Sequence, residues 1–477
     1  MTKRDFPKVH FYDQDFVDIY DKTWAWIQDH WNTGSEGSII EGKFFSYPGS
    51  QVIQQVDAVF SSFFLVYSNR IYQANPTLDI FYQRQEPNGA IRCTYNIQTG
   101  LPVVAEDNPE GLGLPLFAWA EFNLYHKTAN KKRVKDTLPI LHKYNGWVDS
   151  VFKQPNGLYS VPLSATGMPN SPREQAAYPL DFNALMAVNA LYMSALADIL
   201  NDKDMSFLYK RHYFALKTHI NTLMWDGEEG FYYDIDKDEK RLSVKTIAGF
   251  WPLLAEIPNE DKAERIISHL SDPKSFGTPH PFPCLSASDP SFDETGKGFR
   301  GSVFPHFTFM VIKGLERYQR WDIARESAIR HLYFVLDSMN TESSQHDGIL
   351  WEAYLPTKEG QAAWEGKPDF PRPHYLTFAA LSTICLTIEN IVGLSISLPR
   401  KTVDWVIPNL EIMGIENLSL KKNMITILSD KSNKSGRGWE IQMDSEKLYY
   451  FTINILGKKK KTLPIPSGKC SMLLDKI

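Results

Sequence analysis

The chain has 477 residues, of which 43% are apolar and 22% are charged, and its formal net charge is −5. This length and composition are typical of a soluble globular protein with one large domain and a smaller one, or with two or three domains of ordinary size. The weakly negative charge excludes a whole-chain attraction to nucleic acid or to an anionic membrane surface, so neither is predicted as a partner.

Residues 1–395 carry apolar positions at steps of three and four residues, which predict helices, separated by long loops rich in proline and glycine. In the predicted helix Asp181–Asn201, the apolar side chains form one stripe, and Asp181 precedes it as a candidate N-terminal cap. The predicted helices are Asp15–Trp31, Gln51–Tyr72, Leu114–Lys127, Lys132–Phe152, Asp181–Asn201, Met205–Met224, Lys245–Leu254, Asp261–Leu270, Ser302–Tyr318, Trp321–Met339 and Tyr375–Val392.

These helices fall into antiparallel pairs, which either stack into an open solenoid or close into a ring. A solenoid predicts a fixed short repeat and short loops on both sides, and no fixed repeat is present in this sequence. The long loops instead lie on one side of the helical pairs: Ala74–Gly113, Asn156–Leu180, Ser271–Gly301 and Asn340–His374. Because long ordered loops usually carry function, the pattern predicts a mainly α fold, an (α/α)6 barrel with a cleft built from loops.

After residue 395 the apolar pattern changes from helical spacing to alternation with turn residues between short segments, which predicts strands. The predicted strands are Val403–Pro408, Met424–Leu428, Trp439–Met443, Leu448–Ile455 and Thr462–Ile465. We therefore predict two domains, a catalytic-type barrel over residues 1–395 and a small all-β, sandwich-like domain over residues 396–477.

The four cysteines, Cys93, Cys284, Cys385 and Cys470, are scattered, and neither they nor the histidines show the spacing of a metal site. Nucleotide-binding glycine motifs are also missing, so no metal and no cofactor is predicted. The N-terminus has no apolar segment of the signal-peptide type, and no apolar run is expected to reach the length of a membrane span. The chain as given is predicted to be cytoplasmic, or periplasmic or secreted if a signal peptide was removed.

The loops between helices concentrate polar and aromatic residues, in a chain that contains 13% aromatic residues. Two loop arginines, Arg173 and Arg300, precede helices and suit the binding of hydroxyls or carboxylates, although structural ion pairs are the commoner role of such residues. Glu352 lies between aromatic residues in Trp351–Tyr354 and suits a sugar cleft, where it could deprotonate a water. A loop glutamate is more often simply solvated, and Asp181 is more often a helix cap.

Several segments resemble, in the same order, those of the inverting glycoside hydrolases of the clan that includes trehalase, mannosylglycerate hydrolase and the family 63 α-glucosidases. The resemblance runs from about Gln54 to Leu394, and its order is more specific than any one motif. The matching segments are Gln54–Phe60, Leu114–Ala120, Gly298–Phe304 and Trp351–Tyr354. Gly414–Leu418 also resembles the β-domain that is often appended to these hydrolases.

The resemblance implies a role for each matching position. Glu352 corresponds to the clan's catalytic base. The implied sugar-binding residues are Gln55, Asp57, Asn170, Arg173, Arg300, Trp351 and Tyr354. Because their loops share the long-loop side, we expect Asp57, Arg173, Arg300 and Glu352 to converge at one end of the barrel.

The general acid is where this chain departs from the clan. The clan's acid is the aspartate of a Gly-Met-Asp-Asn-Ser-Pro-Arg segment, and this chain has Pro169 at that position. Asp181 is the replacement that we predict, because it is the nearest aspartate downstream. The other candidates in or near these loops are Glu110, Glu174 and Glu365.

The favoured interpretation is an inverting glycosidase that acts on a small α-linked sugar or glycoside. The alternative is a carbohydrate-binding or regulatory protein that has kept the cleft and lost hydrolysis. Pro169 favours this alternative, because it stands where the clan has its general acid. A lyase or epimerase on a similar barrel is a third option. A small carbohydrate is the predicted ligand in the first two cases, and the sequence leaves the oligomeric state open.

Overall fold

The computed structural model of the chain describes residues 6–34, 40, 42–68, 71–339, 348–420, 423–431, 438–458 and 460–474. Most of the described residues before position 392 form helices and the loops between them. The α-helices are α1 Gln14–His30, α2 Gln55–Leu65, α3 Pro76–Tyr82, α4 Phe117–Thr128, α5 Lys131–Phe152, α6 Leu180–Leu200, α7 Lys203–His219, α8 Trp251–Leu254, α9 Glu260–Ser271, α10 Pro305–Arg317, α11 Trp321–Met339 and α12 Leu376–Ala380. Shorter 3-10 turns are Val66–Ser68, Leu163–Ala165 and Ile247–Phe250, and π-helical segments continue α7 as Ile220–Met224 and α12 as Leu381–Ile391.

Each predicted helix has a helical counterpart, with ends that differ by a few residues. The largest difference is at Gln51–Tyr72, because Val52–Gln54 is a strand and the helix begins only at Gln55. Residues 69–70 of that prediction, and residues 340–347 of the predicted loop Asn340–His374, lie outside the described residues. Helix α3 was not predicted.

Side-chain caps define where several helices start. Asn130, Asp202 and Asn259 each accept a hydrogen bond from a backbone N–H in the first turn of α5, α7 and α9. Such a cap satisfies one of the amide groups that a helix start leaves without a partner.

Helix α6 is the core helix of this region. It packs against α4, α5, α7 and α8, and most of its residues are buried. Contrary to the expectation from sequence, α6 is long and apolar enough to span a membrane, but 72% of its most apolar window is buried inside the protein. Such burial is what a core helix requires, since a helix that is apolar all round must be covered on every side.

The first and last helices of the region are in direct contact. Helix α1 packs against Leu381–Ile391, and the hydroxyls of Thr23 and Thr383 are 2.9 Å apart in the buried interface. Helices α2 and α10 pack against the same π-helical segment, so the last helix contacts helices from three different parts of the chain.

The remaining elements are strands. The small hairpins among the helices use β2 Trp31–Thr33, β3 Lys43–Phe45, β4 Val52–Gln54, β5 Thr94–Asn96, β6 Trp225–Asp226 and β7 Phe231–Tyr232. The terminal strands are β1 Lys8–His10, β8 Leu394–Ser397, β9 Thr402–Ile407, β10 Met413–Leu420, β11 Asn423–Lys431, β12 Trp439–Ser445, β13 Tyr449–Ile455, β14 Lys461–Ile465 and β15 Gly468–Leu474.

The terminal strands form two sheets. One has five strands in the order β1-β10-β11-β12-β15, and the other has four strands in the order β14-β13-β9-β8. Strand β1 was not predicted from the sequence. It adds to the edge of the C-terminal sheet by antiparallel pairing with β10, so the N-terminus of the chain is part of that sheet.

Candidate active site

The carboxylate of Glu352 is held by a single arginine from the same loop region. Its Oε1 accepts a hydrogen bond from Nη2 of Arg372 at 2.6 Å, and its Oε2 accepts from Nε at 2.9 Å and from the backbone N–H at 3.1 Å. Only 7% of Glu352 is exposed. Because a bidentate arginine pair fixes the plane of a carboxylate, Glu352 is an oriented and largely buried carboxylate.

Arg372 connects Glu352 to Asp57. The guanidinium of Arg372 lies 3.5 Å from the centre of the Tyr375 ring, and the Tyr375 hydroxyl donates a hydrogen bond to Asp57 Oδ1 at 3.3 Å. Thr377 donates to the same oxygen at 2.5 Å. The structure therefore brings Asp57 and Glu352, which are far apart in the sequence, into one network of hydrogen bonds and a cation–π contact.

Asp57 lies in the first turn of α2, where its Oδ2 also accepts from the backbone N–H of Gln54 at 3.1 Å. Burial raises the pKa of the Asp57 carboxyl above its usual range, while the hydrogen bonds from Thr377 and Gln54 and the charge of Arg372 oppose that shift. A carboxylate has about four acceptor positions, and three donors reach this one. Asp57 thus keeps capacity for one further donor, such as a sugar hydroxyl.

His306, at the start of α10, is a residue of this region that the sequence analysis missed. Its ring stacks on Phe378 with centroids 3.6 Å apart and lies 5.5 Å from Phe60, one turn after Asp57. Phe378 in turn packs against Tyr375. Burial lowers the pKa of His306 well below its ordinary value, so the ring is neutral, and its Nδ1 is buried without a hydrogen-bond partner among the described residues.

The loop around Pro169 is joined to the loop of Arg300 by Asn170. The Asn170 side chain donates to the carbonyl of Lys297 at 2.8 Å and accepts from the N–H of Phe299 at 2.7 Å. Nε of Arg300 donates to the Asn170 carbonyl at 3.1 Å. Asn170 therefore fixes two loops against each other, and Pro169, next to it, is exposed.

The Arg300 loop is also paired with the Glu352 loop. Val303 and Tyr354 exchange two backbone hydrogen bonds, each 2.9 Å long. The rings of Phe304 and Phe370 extend the contact towards Arg372. The segments that carry Asn170, Arg300 and Glu352 are thus in direct contact, as a shared cleft requires.

Asp181 and Arg173 have a different environment from the predicted one. Nη2 of Arg173 donates to Asp181 Oδ2 at 2.5 Å, Nη1 donates to Asp234 at 3.2 Å, and all three side chains are almost completely buried. The other Asp181 oxygen accepts from the N–H of Phe182 at 2.8 Å.

This geometry does not support Asp181 as the general acid, because a group that protonates a substrate must reach the cleft, and Asp181 is completely buried against Arg173. Nor does it support Arg173 as a sugar-binding residue. Asp181 is not the cap of α6 either, since Pro179 occupies that position. Both residues instead belong to a buried ion-pair cluster with Asp234, which the sequence analysis missed.

The other predicted residues hold loops in place. The Gln55 side chain is buried and donates to the carbonyl of Leu114 at 2.9 Å, just before α4. Tyr354 is also buried, and its hydroxyl accepts from the N–H of Trp351 at 3.0 Å. Trp351 itself is partly exposed beside Glu352, so it is the aromatic residue of this group that can contact a ligand.

The remaining acid candidates differ in exposure. The Glu174 side chain is 73% exposed, with Oε1 3.7 Å from Nη2 of Arg300. Glu110 pairs with Arg92 at 2.9 Å, and Glu365 is exposed. Glu174 is thus the candidate that contacts the loop cluster around Pro169. In the described part of the chain, no three His, Cys, Asp or Glu side chains are grouped so that they could hold a metal ion.

Comparisons with known proteins identify the family of this chain. The family profile described as the mannosylglycerate hydrolase MGH1-like glycoside hydrolase domain matches residues 74–371, and that of the trehalase C-terminal domain matches residues 393–477. An uncharacterized protein of Borreliella burgdorferi is 53% identical over the whole length of both chains.

A mannosylglycerate hydrolase of Rubrobacter radiotolerans is 29% identical over 31% of this chain and 35% of its own. Among solved structures, the GH63 mannosylglycerate hydrolase of Thermus thermophilus in complex with glucose matches 77% of this chain and 99% of its own. That match has a TM-score of 0.60 at 18% sequence identity, so it concerns the fold alone.

Proposed function

The chain belongs to the family of mannosylglycerate hydrolase MGH1-like glycoside hydrolases, and we propose that it hydrolyses a small α-linked sugar or glycoside with inversion of configuration. The observation that carries this proposal is the fixed carboxylate of Glu352, which Arg372 orients and which shares one network with Asp57. Inverting hydrolysis needs such a carboxylate on one face of the sugar and an acid on the other.

Glu352 is the base in this proposal. A water held by its carboxylate attacks the anomeric carbon from the face opposite the leaving oxygen. The water's proton passes to Glu352 as the new C–O bond forms and the glycosidic C–O bond breaks. Asp57 accepts a hydrogen bond from a hydroxyl of the same sugar, Trp351 provides an apolar face, and Arg372 holds the Glu352 carboxylate in a fixed orientation.

We assign the acid role to Glu174, which replaces Asp181 in that role. Its carboxyl is exposed, and Arg300 bridges it to Asn170, the residue next to Pro169. The leaving oxygen takes its proton from the Glu174 carboxyl, and the carboxyl is left as an anion. A carboxyl that is 73% exposed and positioned by a single contact at 3.7 Å is a loosely oriented acid, so this arrangement suits substrates whose leaving groups need little protonation.

A second function is favoured by one observation, the exposed Pro169 at the position where the clan has its acid. A cleft that has kept Asp57, Asn170, Arg300 and Glu352 without that acid could bind a sugar and not hydrolyse it. The protein would then be a carbohydrate-binding or regulatory member of a hydrolase family.

As part of the same proposal, the helices of the predicted domain 1–395 close into an (α/α)6 barrel. It is followed by the β-sandwich-like domain predicted over residues 396–477, which in the structure also includes β1 from the N-terminus and begins with β8 at Leu394. The contact between α1 and Leu381–Ile391 supports ring closure over an open solenoid, because an open solenoid keeps its first and last helices apart. The long loops then lie on the side of the barrel where Asp57 and Glu352 meet.

The test compares α-linked disaccharides with α-glycosyl fluorides, using the wild type, Glu174→Gln and the matched control Glu365→Gln. Fluoride leaves without protonation, so Glu174→Gln should lose turnover of the disaccharide and keep turnover of the fluoride. Glu365→Gln, at an exposed glutamate of a flanking loop, should keep both activities.

Equal loss of both activities in Glu174→Gln, or no loss at all, would remove Glu174 as the acid. A wild type that turns over neither substrate, yet shows saccharide binding by calorimetry, would replace the hydrolase with the binding protein.

A further inference from the structure

A cavity of about 430 Å³ lies at the opposite end of the helices from Glu352, between the helical region and strands β8 and β9. Its wall includes residues near the C-terminal ends of α4 and α10, together with Glu389 from the last helix. Its size is in the range of protein pockets that hold small molecules.

The cavity is separate from the candidate active site. His306 lies at the start of α10, whereas Arg317, at its end, lines the cavity. At 1.5 Å per residue, these two positions are about 16 Å apart along the helix axis. Asp57 and Phe63 are arranged in the same way along α2, with Phe63 on the cavity side.

Most of the buried charges around the cavity already have partners. Glu389 is 3.2 Å from Lys127 and 2.8 Å from Lys313, and Lys313 is also 2.6 Å from Glu316. Arg317 pairs with Glu256 at 3.1 Å. These ion pairs are structural, because cations near helix C-termini and their carboxylate partners stabilise one another without a ligand.

Asn123, Arg400 and Asp404 are polar side chains of the wall that can still bind a ligand. The amide nitrogen of Asn123 is buried and has no acceptor among the described residues, although a buried donor without a partner is costly. Arg400 and Asp404 line the rim and make no ion pair in the described part of the chain. The cavity thus offers donors and an acceptor that no described part of the fold satisfies.

Aromatic faces form the rest of the wall. Trp119 and Tyr192 are nearly parallel, with an angle of 8° between the rings, and the Phe309 ring lies 6.1 Å from the Trp119 ring at an angle of 24°. Phe122 packs beside Tyr192 and is only partly buried. Flat aromatic surfaces next to polar groups of both kinds match a sugar ring, which has apolar faces and hydroxyls that both donate and accept.

We propose that this cavity is a second binding site, for a small neutral saccharide. We expect the ligand to be neutral because the cavity offers no excess charge. Lys127 and Lys313 are paired with carboxylates, and the opposite charges of Arg400 and Asp404 balance each other at the rim. The site depends on both regions of the chain, and it does not depend on hydrolysis at Glu352.

The test uses the full-length protein labelled with 5-fluorotryptophan, in which ¹⁹F NMR reports the two sites separately. Trp119 reports the cavity and Trp351 reports the Glu352 site, and each signal is assigned by a Trp→Phe variant. Glucose is the neutral probe, and glucose 6-phosphate is the anionic one. Glucose should shift the Trp119 signal in a saturable manner, and glucose 6-phosphate should shift it less.

Two variants show whether the response comes from the cavity. Ser395→Trp places a large side chain at the cavity wall and should abolish the Trp119 response. The matched control Ser471→Trp, at an exposed strand position outside the cavity, should retain it. Asn123→Leu removes the unpaired donor without filling the cavity and should weaken glucose binding about 2- to 10-fold.

A Trp119 signal that glucose does not move, that still moves in Ser395→Trp, or that responds only to glucose 6-phosphate would overturn the proposal. A Trp119 response without a Trp351 response would still support the cavity, and would count against the proposed function alone.

Discussion

The two ends of the helices differ in how their charges are used. At the N-terminal ends, Asp57 sits in the first turn of α2 and joins Glu352 through Tyr375 and Arg372. At the C-terminal ends, Lys127 lies in the last turn of α4, next to the other cations of the cavity wall. This sorting agrees with the helix macrodipole, which favours carboxylates at N-termini and cations at C-termini.

The carboxylates at the two ends also differ in how many cations hold them. Glu352 comes from a loop, is held by a single arginine, and has acceptor capacity beyond its contacts with Arg372. Glu389 lies between two lysines and also accepts a hydrogen bond from Tyr67. A carboxylate held by one cation thus keeps acceptor positions for a ligand or a water, whereas one shared between two cations is mainly structural.

The largest expected effect is on activity at the N-terminal end. Glu352→Gln should reduce turnover by about 10²–10⁴-fold, since a positioned acid–base group typically contributes that much. The glutamine keeps the shape of the side chain, so circular dichroism should be unchanged. Turnover equal to that of the wild type would place the base elsewhere.

A large loss of stability is expected when Asp181 is replaced, because Asp181 belongs to the buried ion-pair cluster with Arg173 and Asp234. Asp181→Asn should lower the free energy of unfolding by about 3–5 kcal/mol, because it leaves Arg173 buried with one of its two carboxylate partners. Asp198→Asn is the matched control on the same helix, in an exposed pair with Lys210, and should cost about 0–1 kcal/mol. Urea unfolding measures both values, and an Asp181→Asn variant that is as stable as the wild type but inactive would restore Asp181 as the acid.

A slightly smaller loss is expected at the cavity end. Burial alone would raise the pKa of Glu389, but Lys313 and Lys127 outweigh burial and lower it to about 2. A depressed carboxyl pKa stabilises the fold above the unfolded value near 4.5, and this stability is lost as the pH falls towards 2. Glu389→Gln should therefore cost about 3 kcal/mol at pH 7. The exposed Glu260→Gln should cost about 0–1 kcal/mol.

The Glu389→Gln deficit should shrink between pH 4.5 and pH 2 in urea unfolding measured over that range. A deficit that stays constant as the pH is lowered would contradict the assigned cause.

The smallest expected effect is a loss of stability at mildly acidic pH, which should occur in the helical region and not in strands β11 and β12. Burial lowers the pKa of His30 to about 4 and of His331 to about 3, whereas strands β11 and β12 contain no histidine. The unfolded chain then binds protons that the folded helices reject, so stability falls as the pH drops below about 6.5. From pH 7 to pH 6 each histidine should cost about 0.7 kcal/mol.

Hydrogen exchange, corrected for intrinsic rates, should show this loss of protection in α1 and α11 and not in β11 or β12. Equal loss in the helices and the sheets would point to a common cause other than the histidines.

Local sequence patterns predicted much of this fold, because the apolar spacing of helices and the alternation of strands depend on residues close together in the sequence. Helix α3 was missed because seven residues give too short a pattern, and β1 was missed because it pairs with β10, at the other end of the chain. The C-terminal strands were found except β8, β10 and β15.

Only those site residues that lie in recognisable motifs could be predicted from the sequence. Glu352 and Asp57 were identified by resemblance to known segments, but their partner Arg372 was not, because the pairing depends on how a loop closes. Asp181 was proposed as the acid from its position in the sequence, which cannot distinguish an exposed carboxyl from a buried one. Its partner Asp234 lies far downstream, and only the fold brings the two together.

The stereochemistry of the first product tests the central claim most directly. Proton NMR of α-glucosyl fluoride hydrolysis, recorded faster than mutarotation, identifies the anomer released by the enzyme. Inversion with Glu352 as base predicts that β-glucose appears first and that Glu352→Gln slows its formation about 10²-fold or more. Release of α-glucose first, or an unchanged rate in Glu352→Gln, would contradict the account.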